Sequence, residues 1–505
     1  MSDEIEIKLQ VPPAALQKAR QLPLLRGAPA RRGRLVSVYF DTPRHKLREN
    51  GIALRVRHKG RKRLQTVKTA GDGALVRGEW EAEIRGDQPD LTVVADSPLG
   101  KLASDRLARK LRPVFETVVT RTAISLRAGD SELEVALDSG EIRAGRRRER
   151  ISEIEIELKK GDPAEVARLA ERLAQVLPAR FEPRTKPERG FALARGNGAA
   201  AVHATDIALE RHMTTAEAFR AIGFSCLSQL CANEPGVRHA DSESVHQMRV
   251  GLRRLRAAMS VFKGLLRDSE SEGIKAGLKW LAEQLGPARD FDVFVRESVA
   301  PLSGTASEMG VLRKDLEARR DAGFRCAREA VEGERYRRLT LEVALWLANG
   351  GWSTAPDPLR SALRARPVAA FASEALSARF ARIAKKMKKL KKLDAHRRHR
   401  LRIAIKKLRY AVEFFASLFG GAKSRRKFAA VLEELQEILG TLNDFGVHRR
   451  LAGDIVRHGR RKDRRSQKAF AMGIVTGREQ VRFDDCIEAA IKAGGRLSSR
   501  QQFWN

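Results

Sequence analysis

The 505-residue sequence predicts an α+β protein of two domains: an antiparallel β half, then an all-α half built on a duplication. Three observations carry this. Up to about residue 195, apolar and polar side chains alternate with a period of two, the mark of half-buried strands. From about residue 206 the apolar period becomes helical and strand signals stop. Within that helical part, "HQMRVGLRRLRAAMSVF" (246–262) matches "HRLRIAIKKLRYAVEFF" (399–415) at an offset of 153. "EQLGPARDFDV" (283–293) matches "EILGTLNDFGV" (437–447) at an offset of 154. Two blocks at nearly one offset mark a duplicated unit, with halves near 210–350 and 365–495.

The strands are predicted at the opening "EIEIKLQ" and then at 34–42, 52–60, 63–71, 76–86, 131–142 and 151–161, most of them closed by Gly or Asp. "DPAEVARLAERLAQVLP" (162–178) is a helix opened by Asp162 and Pro163 and stopped at Pro178. The Gly- and Ala-rich 196–209 is a linker, so the domains run 2–195 and 210–495.

Apolar residues make up 42% of the chain, enough for real cores, and the formal charge is +35, which implies an anionic partner. Three Tyr and five Trp are too few for a base-stacking platform, so nucleic acid is a poor candidate. The four cysteines have no C-x-x-C spacing, which argues against a zinc site or a disulfide framework and for a reducing compartment. The acidic N-terminus lacks a signal-peptide core, and no apolar run approaches a membrane span; the expectation is a cytoplasmic protein without a membrane partner.

On the first strand Glu4, Glu6 and Lys8 share a face, and Ile5, Ile7 and Leu9 the other. The row returns in Glu153, Glu155 and Glu157, against Ile154, Ile156 and Leu158. Arg55 and Arg57 in "LRVR", Lys68 in "TVK", and Arg77 beside Glu79 and Glu81 alternate in the same way. A solvated sheet face is the ordinary explanation. The rows are dense and segregated by charge type, however, and a sheet closed with these faces inward makes a tunnel lined by acids and bases. Carboxylates there suit Mg²⁺ or Mn²⁺, and Arg and Lys suit phosphates.

These residues resemble a known family. "EIEIK" looks like the E-x-E-x-K signature of CYTH domains, the triphosphate tunnel metalloenzymes. "YFDT" (39–42), "LRVR" (54–57), "TVK" (66–68), "RGEWE" (77–81), "TR" (120–121), "EVALDSGEI" (134–142), "EIEIELKKG" (153–161) and "KPERG" (186–190) follow in order. The resemblance implies an eight-stranded antiparallel tunnel that hydrolyses inorganic triphosphate with Mg²⁺ or Mn²⁺. It makes Glu4, Glu6, Glu153, Glu155 and Glu157 metal-site acids, with Glu79, Glu81 and Asp138 as second choices. Lys8, Arg55, Arg57, Lys68, Arg77, Arg121, Lys186 and Arg189 become phosphate contacts, and Tyr39 orients Lys8 for catalysis.

In the helical half, an α-helical wheel puts His246, Arg249, Arg253 and Arg256 on one face, opposite Met248, Leu252, Leu255 and Met259. The second copy puts His399, Arg402, Lys406 and Arg409 opposite Leu401, Ile405 and Leu408, and Arg254 and Lys407 flank the basic faces. A basic face on one helix is usually just solvated; its repetition argues for a function. Asp290 and Asp444, each after Leu-Gly, are candidate helix N-caps, and "KKMKKLKKLDAHRRHR" (385–400) is a candidate polyanion contact. The motif H-x-x-R-x-x-x-[RK]-[RK]-x-[RK], present twice, resembles the CHAD domain, an α-helical family associated with inorganic polyphosphate. That implies binding of polyphosphate and an association with polyphosphate granules. The competing expectation is a weakly catalytic or non-catalytic polyphosphate scaffold.

Overall fold

A computed structural model describes residues 5–60, 62–69, 78–196, 200–302, 304, 306–457 and 462–504. The chain forms two compact units. One comprises Met1–Val202, Phe224–Gly236 and Glu332–Thr354; the other comprises His203–Gly223, Val237–Val331 and Ala355–Asn505.

The first unit is built on an antiparallel sheet. Its strands are Ile5–Gln10 (β1), Ala30–Asp41 (β2), Ile52–Lys59 (β3), Lys62–Thr69 (β4), Glu79–Ile84 (β5), Arg112–Ala128 (β6), Ser131–Ala144 (β7), Arg147–Lys160 (β8) and Arg180–Phe181 (β9), in the order β5-β4-β3-β2-β6-β7-β8-β1-β9. That is eight full strands, as expected, and a ninth of two residues. The long β6 was legible only as its "TR" motif. Its run of Thr117, Val118, Val119 and Thr120 is β-branched on both faces, so the alternation that marks the other strands is blurred.

Register puts the charged rows on one face. Lys8 lies opposite Glu155, Glu155 opposite Ala136, Asp138 opposite Glu153, and Arg121 opposite Asp138. On the other side of β2, Tyr39 lies opposite Arg55, Arg55 opposite Thr66, and Lys68 opposite Glu79. The opposite face is apolar and covered. Ile7, Leu9, Val135, Leu137, Ile154 and Ile156 are buried, and the helices Pro13–Ala19 and Ala164–Val176 pack onto β1, β7 and β8. Leu54, Val56, Val67 and Ile84 join Val94, Leu99, Leu107 and Leu111 in a second cluster. The solvated-face alternative fails on burial: Lys8 is 7% exposed, Asp138 and Glu153 0%.

The helix Lys186–Arg195 lies on the charged face. Thr185 and Glu188 close a capping box at its start, and Phe191 packs with Tyr39, Phe115, Val119 and Ile151. Gly190 makes that approach possible, because a Cβ there would stand 2.1 Å from the Phe115 ring. Gly190→Ala is therefore expected to cost about 1–3 kcal/mol, read as a lowered midpoint of urea unfolding.

This unit also takes in segments from the helical half. The helix Glu334–Asn349 packs on β9 and on Ala164–Val176. Arg180 pairs with Glu234, and the Phe181 ring lies 6.4 Å from that of Phe224. The edge strand beside β1 is thus braced by residues far along the chain.

The second unit contains the duplicated helices. Ser242–Val261 and Ala395–Phe414 bury the predicted stripes, Met248, Leu252, Leu255 and Met259 in one and Leu401, Ile405 and Leu408 in the other. Each is N-capped by an aspartate at the equivalent place: Asp241 accepts from the Ser244 N–H and Asp394 from the Arg397 N–H, both at 2.7 Å. The copies also pair reciprocally. Thr215 N–H donates to Arg366 O and Val368 N–H to Met213 O, around the bridge Thr214–Pro367. Each donor matches the other at the 153-residue offset, as an approximate two-fold relation requires. Asp290 and Asp444 are not N-caps. They lie inside the helices Ser269–Val293 and Ala422–Arg457, because the Leu-Gly step continues the helix instead of breaking it. Among the described residues no helix is long and apolar enough to cross a membrane.

Candidate active site and anion site

The charged face of the sheet has an acidic end. Oxygens of Asp138 on β7 and of Glu153 and Glu155 on β8 all lie within 4.8 Å of one another. Four cations surround them. Lys186 Nζ lies 2.8 Å from Asp138 Oδ2 and 2.8 Å from Glu155 Oε1, and also pairs with Glu153. Arg121 donates to both oxygens of Asp138, at 2.8 and 2.7 Å, and to Glu155. Lys8 Nζ is 3.3 Å from Glu155 and 3.5 Å from Glu6. Arg189 donates to Glu153 and Glu149 and to the Arg150 carbonyl, each at 2.8 Å.

Burial of this depth opposes every charge, and the neighbours decide the outcome. Burial works to raise the Glu155 carboxyl, yet Lys186, Arg121 and Lys8 hold it well below the usual carboxylate range. Asp138 is depressed in the same way, against burial, chiefly by Lys186. Burial also works to lower the Lys8 ammonium, but Glu6, Glu155 and Glu153 outweigh it and hold the pKa above its ordinary value.

The other end of the face is basic. Arg55 donates to Glu79 Oε1 at 3.2 Å, and Lys68 Nζ lies 2.9 Å from Glu79 Oε2. Tyr39 stacks on Phe115 at 4.5 Å and hydrogen-bonds Arg55, which lowers the phenol pKa against the effect of burial. Arg57 donates to Ser37 Oγ at 3.3 Å and, among the described residues, forms no ion pair. Burial, then the repulsion of Arg55 and Arg121, pushes its guanidinium down to about 10 although Tyr39 and Glu81 oppose this. A buried cation beside other cations is a site that an anion would stabilise.

The structure thus gathers Lys8, Arg55, Arg57, Lys68, Arg121, Lys186, Arg189, Glu153 and Glu155 on one face. Glu157 stands apart from the acid trio, beside Lys159. Glu4 and Arg77 lie outside the described residues. Asp138, only a second choice from sequence, is at the centre of the acids. Glu182 was not foreseen: its backbone N–H donates to Lys8 O at 3.0 Å, and its carboxylate holds Arg184.

In the second unit the two basic helices meet, so their rows form one cluster of cations, in which Arg249 Nη2 lies 3.3 Å from Asp290 and Asp444 bears on Arg402 and Lys406. Arg253 of the first copy bears electrostatically on both Arg402 and Lys406 of the second. Arg249 Nη1, Arg253 Nε and Arg402 Nε are buried without a hydrogen-bond partner among the described residues. Burial, then Arg402 and Arg253, pushes the Lys406 ammonium down to about 7. Burial, then Arg289 and Arg253, pushes His246 down to about 4, so it is neutral at physiological pH. The paired glycines flank this place: a Cβ on Gly286 would stand 3.4 Å from Arg249 Nη1, and one on Gly440 3.8 Å from Arg402 Nε, both ordinary contact distances. His399 bonds to Asn443.

The remaining basic residues divide. Arg254 is buried, 2.8 Å from Glu413 and stacked over Phe414. Arg409 donates to Gln436 at 2.9 Å, Lys407 donates to Ser260 at 3.2 Å, and Arg256 is exposed.

A family model described as the CYTH domain matches residues 2–191, and one described as the CHAD domain matches residues 221–453. The chain is a CYTH domain followed by a CHAD domain. Over 199 residues it is 30% identical to an inorganic triphosphatase of Haemophilus influenzae, a match covering 38% of this chain and 55% of that protein. The chain therefore spans about half the length of this curated relative. The solved CHAD domain of the plant Ricinus communis aligns over 60% of this chain and 99% of its own, at 29% identity and a TM-score of 0.53.

The acid trio of the CYTH domain fits a divalent cation. Its donors are all carboxylate oxygens, the ligands that hard ions prefer. At its meeting of helices the CHAD domain offers the guanidinium donors of Arg249, Arg253 and Arg402, which suit phosphate oxygens.

Proposed function

We propose that the CYTH domain hydrolyses the terminal phosphoanhydride bond of inorganic triphosphate with the help of Mg²⁺ or Mn²⁺, and that the CHAD domain binds inorganic polyphosphate, both in the cytoplasm. The observation that carries the first part is the division of one buried sheet face. Asp138, Glu153 and Glu155 lie at one end, and at the other Arg57, beside Arg55, has Ser37 as its hydrogen-bond partner among the described residues. A metal-bearing phosphate chain is neutralised at both ends by such a face; neither a neutral substrate nor a bare cation is.

In this scheme Asp138, Glu153 and Glu155 hold the metal, which when bound would withdraw charge from phosphoryl oxygens. Arg55, Arg57 and Lys68 hold the phosphates. Tyr39 fixes Arg55, and Lys8, held protonated by three glutamates, places positive charge beside the acids. Arg189, with Glu149 and the Arg150 carbonyl, positions Glu153. The deciding experiment is phosphate release from tripolyphosphate, ATP and long polyphosphate, with and without Mg²⁺ or Mn²⁺. Metal-dependent release fastest from tripolyphosphate supports the enzyme; no release above background with any of them leaves the polyphosphate scaffold.

Polyphosphate binding by the CHAD domain has a pH signature. Lys406 titrates near pH 7 in the free protein, and a bound phosphate raises its pKa, so binding takes up a proton. Affinity is expected to rise as pH falls from about 9 to 6.5 and to level off below. Lys406→Met is expected to flatten the rise, measured by titration calorimetry across that range. An unchanged slope in the variant removes Lys406 from the site.

A further inference from the structure

We infer that Lys186 is an internal counter-cation of the CYTH acids, which a divalent ion must displace in order to bind. The inference rests on the metal-dependent reading above. Among the described residues Lys186 is the one cation that touches all three carboxylates, Asp138, Glu153 and Glu155. The others touch fewer: Arg121 pairs with Asp138 and Glu155, Lys8 with Glu155, and Arg189 with Glu153.

Sterics make the ammonium and a metal ion alternatives. A metal bound by the three carboxylates lies ~2.0–2.2 Å from each donor oxygen. The ammonium already occupies the space between the same oxygens, at 2.8 Å from two of them. Two positive centres at that separation repel in a poorly solvated site. Three buried carboxylates also need neutralisation to fold at all. Lys186 supplies part of it, and keeps the carboxylates converged while no metal is bound.

The backbone of Lys186 is fixed by its helix, while its side chain is held only by ion pairs. It is the first residue of the helix Lys186–Arg195, held by the Thr185–Glu188 capping box and followed by Pro187. Its flexible four-carbon stem can swing while its helix stays. Once displaced, the ammonium remains tethered a few ångströms from the acids, where the phosphates that accompany the metal would lie. The same residue would then serve the acids before metal binds and the substrate afterwards.

The test uses the full chain without substrate. Free Mn²⁺ is followed by electron paramagnetic resonance during titration of the wild type and of Lys186→Met. The variant is expected to bind Mn²⁺ at least ~10-fold more tightly, since no ammonium has to leave. In parallel the wild type is acetylated with acetic anhydride, with and without saturating Mn²⁺, and modification of Lys186 is read by mass spectrometry. Modification is expected to rise with Mn²⁺. Equal or weaker Mn²⁺ affinity in a folded variant, or a Lys186 equally protected with and without Mn²⁺, overturns the inference. If Lys186→Met does not fold, the labelling of the wild type decides alone. Mn²⁺ binding with Lys186 unmoved overturns only the displacement and leaves the phosphate-release assay to judge hydrolysis. No Mn²⁺ binding by either protein overturns the displacement and the metal-dependent reading together.

Discussion

Glu155→Gln is expected to lower metal-dependent phosphate release from tripolyphosphate by about 10²–10³-fold, the loss typical of removing one preorganised charge contact from a transition state. Glu155 lies in the acid trio and meets Lys8, Arg121 and Lys186 at once. Glutamine keeps the shape and one acceptor oxygen but removes the charge that binds a cation. Glu157→Gln is the matched control: it lies on the same strand and the same face but outside the trio, beside Lys159. That variant is expected to retain most of the activity. Wild-type release by Glu155→Gln over a range of Mn²⁺ concentrations would remove the trio from the mechanism. The pH dependence has a definite sign. Glu155 and Asp138 are depressed in the folded state, so the stability they contribute is complete above the ordinary carboxylate range near ~4 and is lost as pH falls below it. Circular dichroism from pH 7 to 2 is expected to show a flat plateau and then acid unfolding, with less acid sensitivity in Glu155→Gln.

Much of this face was legible in the sequence, because a strand's period of two decides which residues share a side without any knowledge of neighbours. Alternation alone pairs Glu153 with Glu155, Arg55 with Arg57, and Lys8 with Glu6. What alternation cannot give is which strand lies beside which, and in what register. Asp138 shares its strand with Glu132, Glu134 and Glu141, so alternation does not single it out; its weight comes from standing between Arg121 on β6 and Glu153 on β8. The family resemblance makes Lys186 a phosphate contact, yet its helix lays it on the acids. Arg254 shows the same limit in the helical half. A wheel puts it beside the basic row, while a partner 159 positions along the chain, Glu413, holds it in the interior. Periodicity was enough to find the duplication. It could not show that the two basic faces would meet instead of standing apart, since that depends on how the copies pair around Thr214 and Pro367.

Replacing Arg249, Arg253, Arg402 and Lys406 together by alanine is expected to weaken polyphosphate binding by at least ~10²-fold, since hydrogen bonds from charged donors contribute roughly 1.5–3 kcal/mol each. All four belong to the one cluster where the copies meet, and three of them carry buried nitrogens without a hydrogen-bond partner among the described residues. Helix content should be unchanged, because the apolar stripes of both helices lie on their other sides. The control replaces four exposed cations of the same unit, Lys314, Arg325, Arg328 and Lys423. At about pH 6, where Lys406 is mostly protonated, total charge falls by nearly the same amount in both variants, so long-range attraction to a polyanion falls about equally. The control is expected to lose only a few-fold. Salt separates the two further. Each phosphate contact adds about 0.7–0.9 to the slope of log affinity against log salt concentration for nucleic acids, so loss of four arranged contacts should flatten the slope by about 3 and the control should leave it nearly intact. Fluorescence anisotropy with end-labelled polyphosphate at several salt concentrations measures both quantities. Equal losses in the two variants would mean that the net charge of +35, and not an arranged site, attracts the polymer. The two-fold repeat would then be a device of the fold alone.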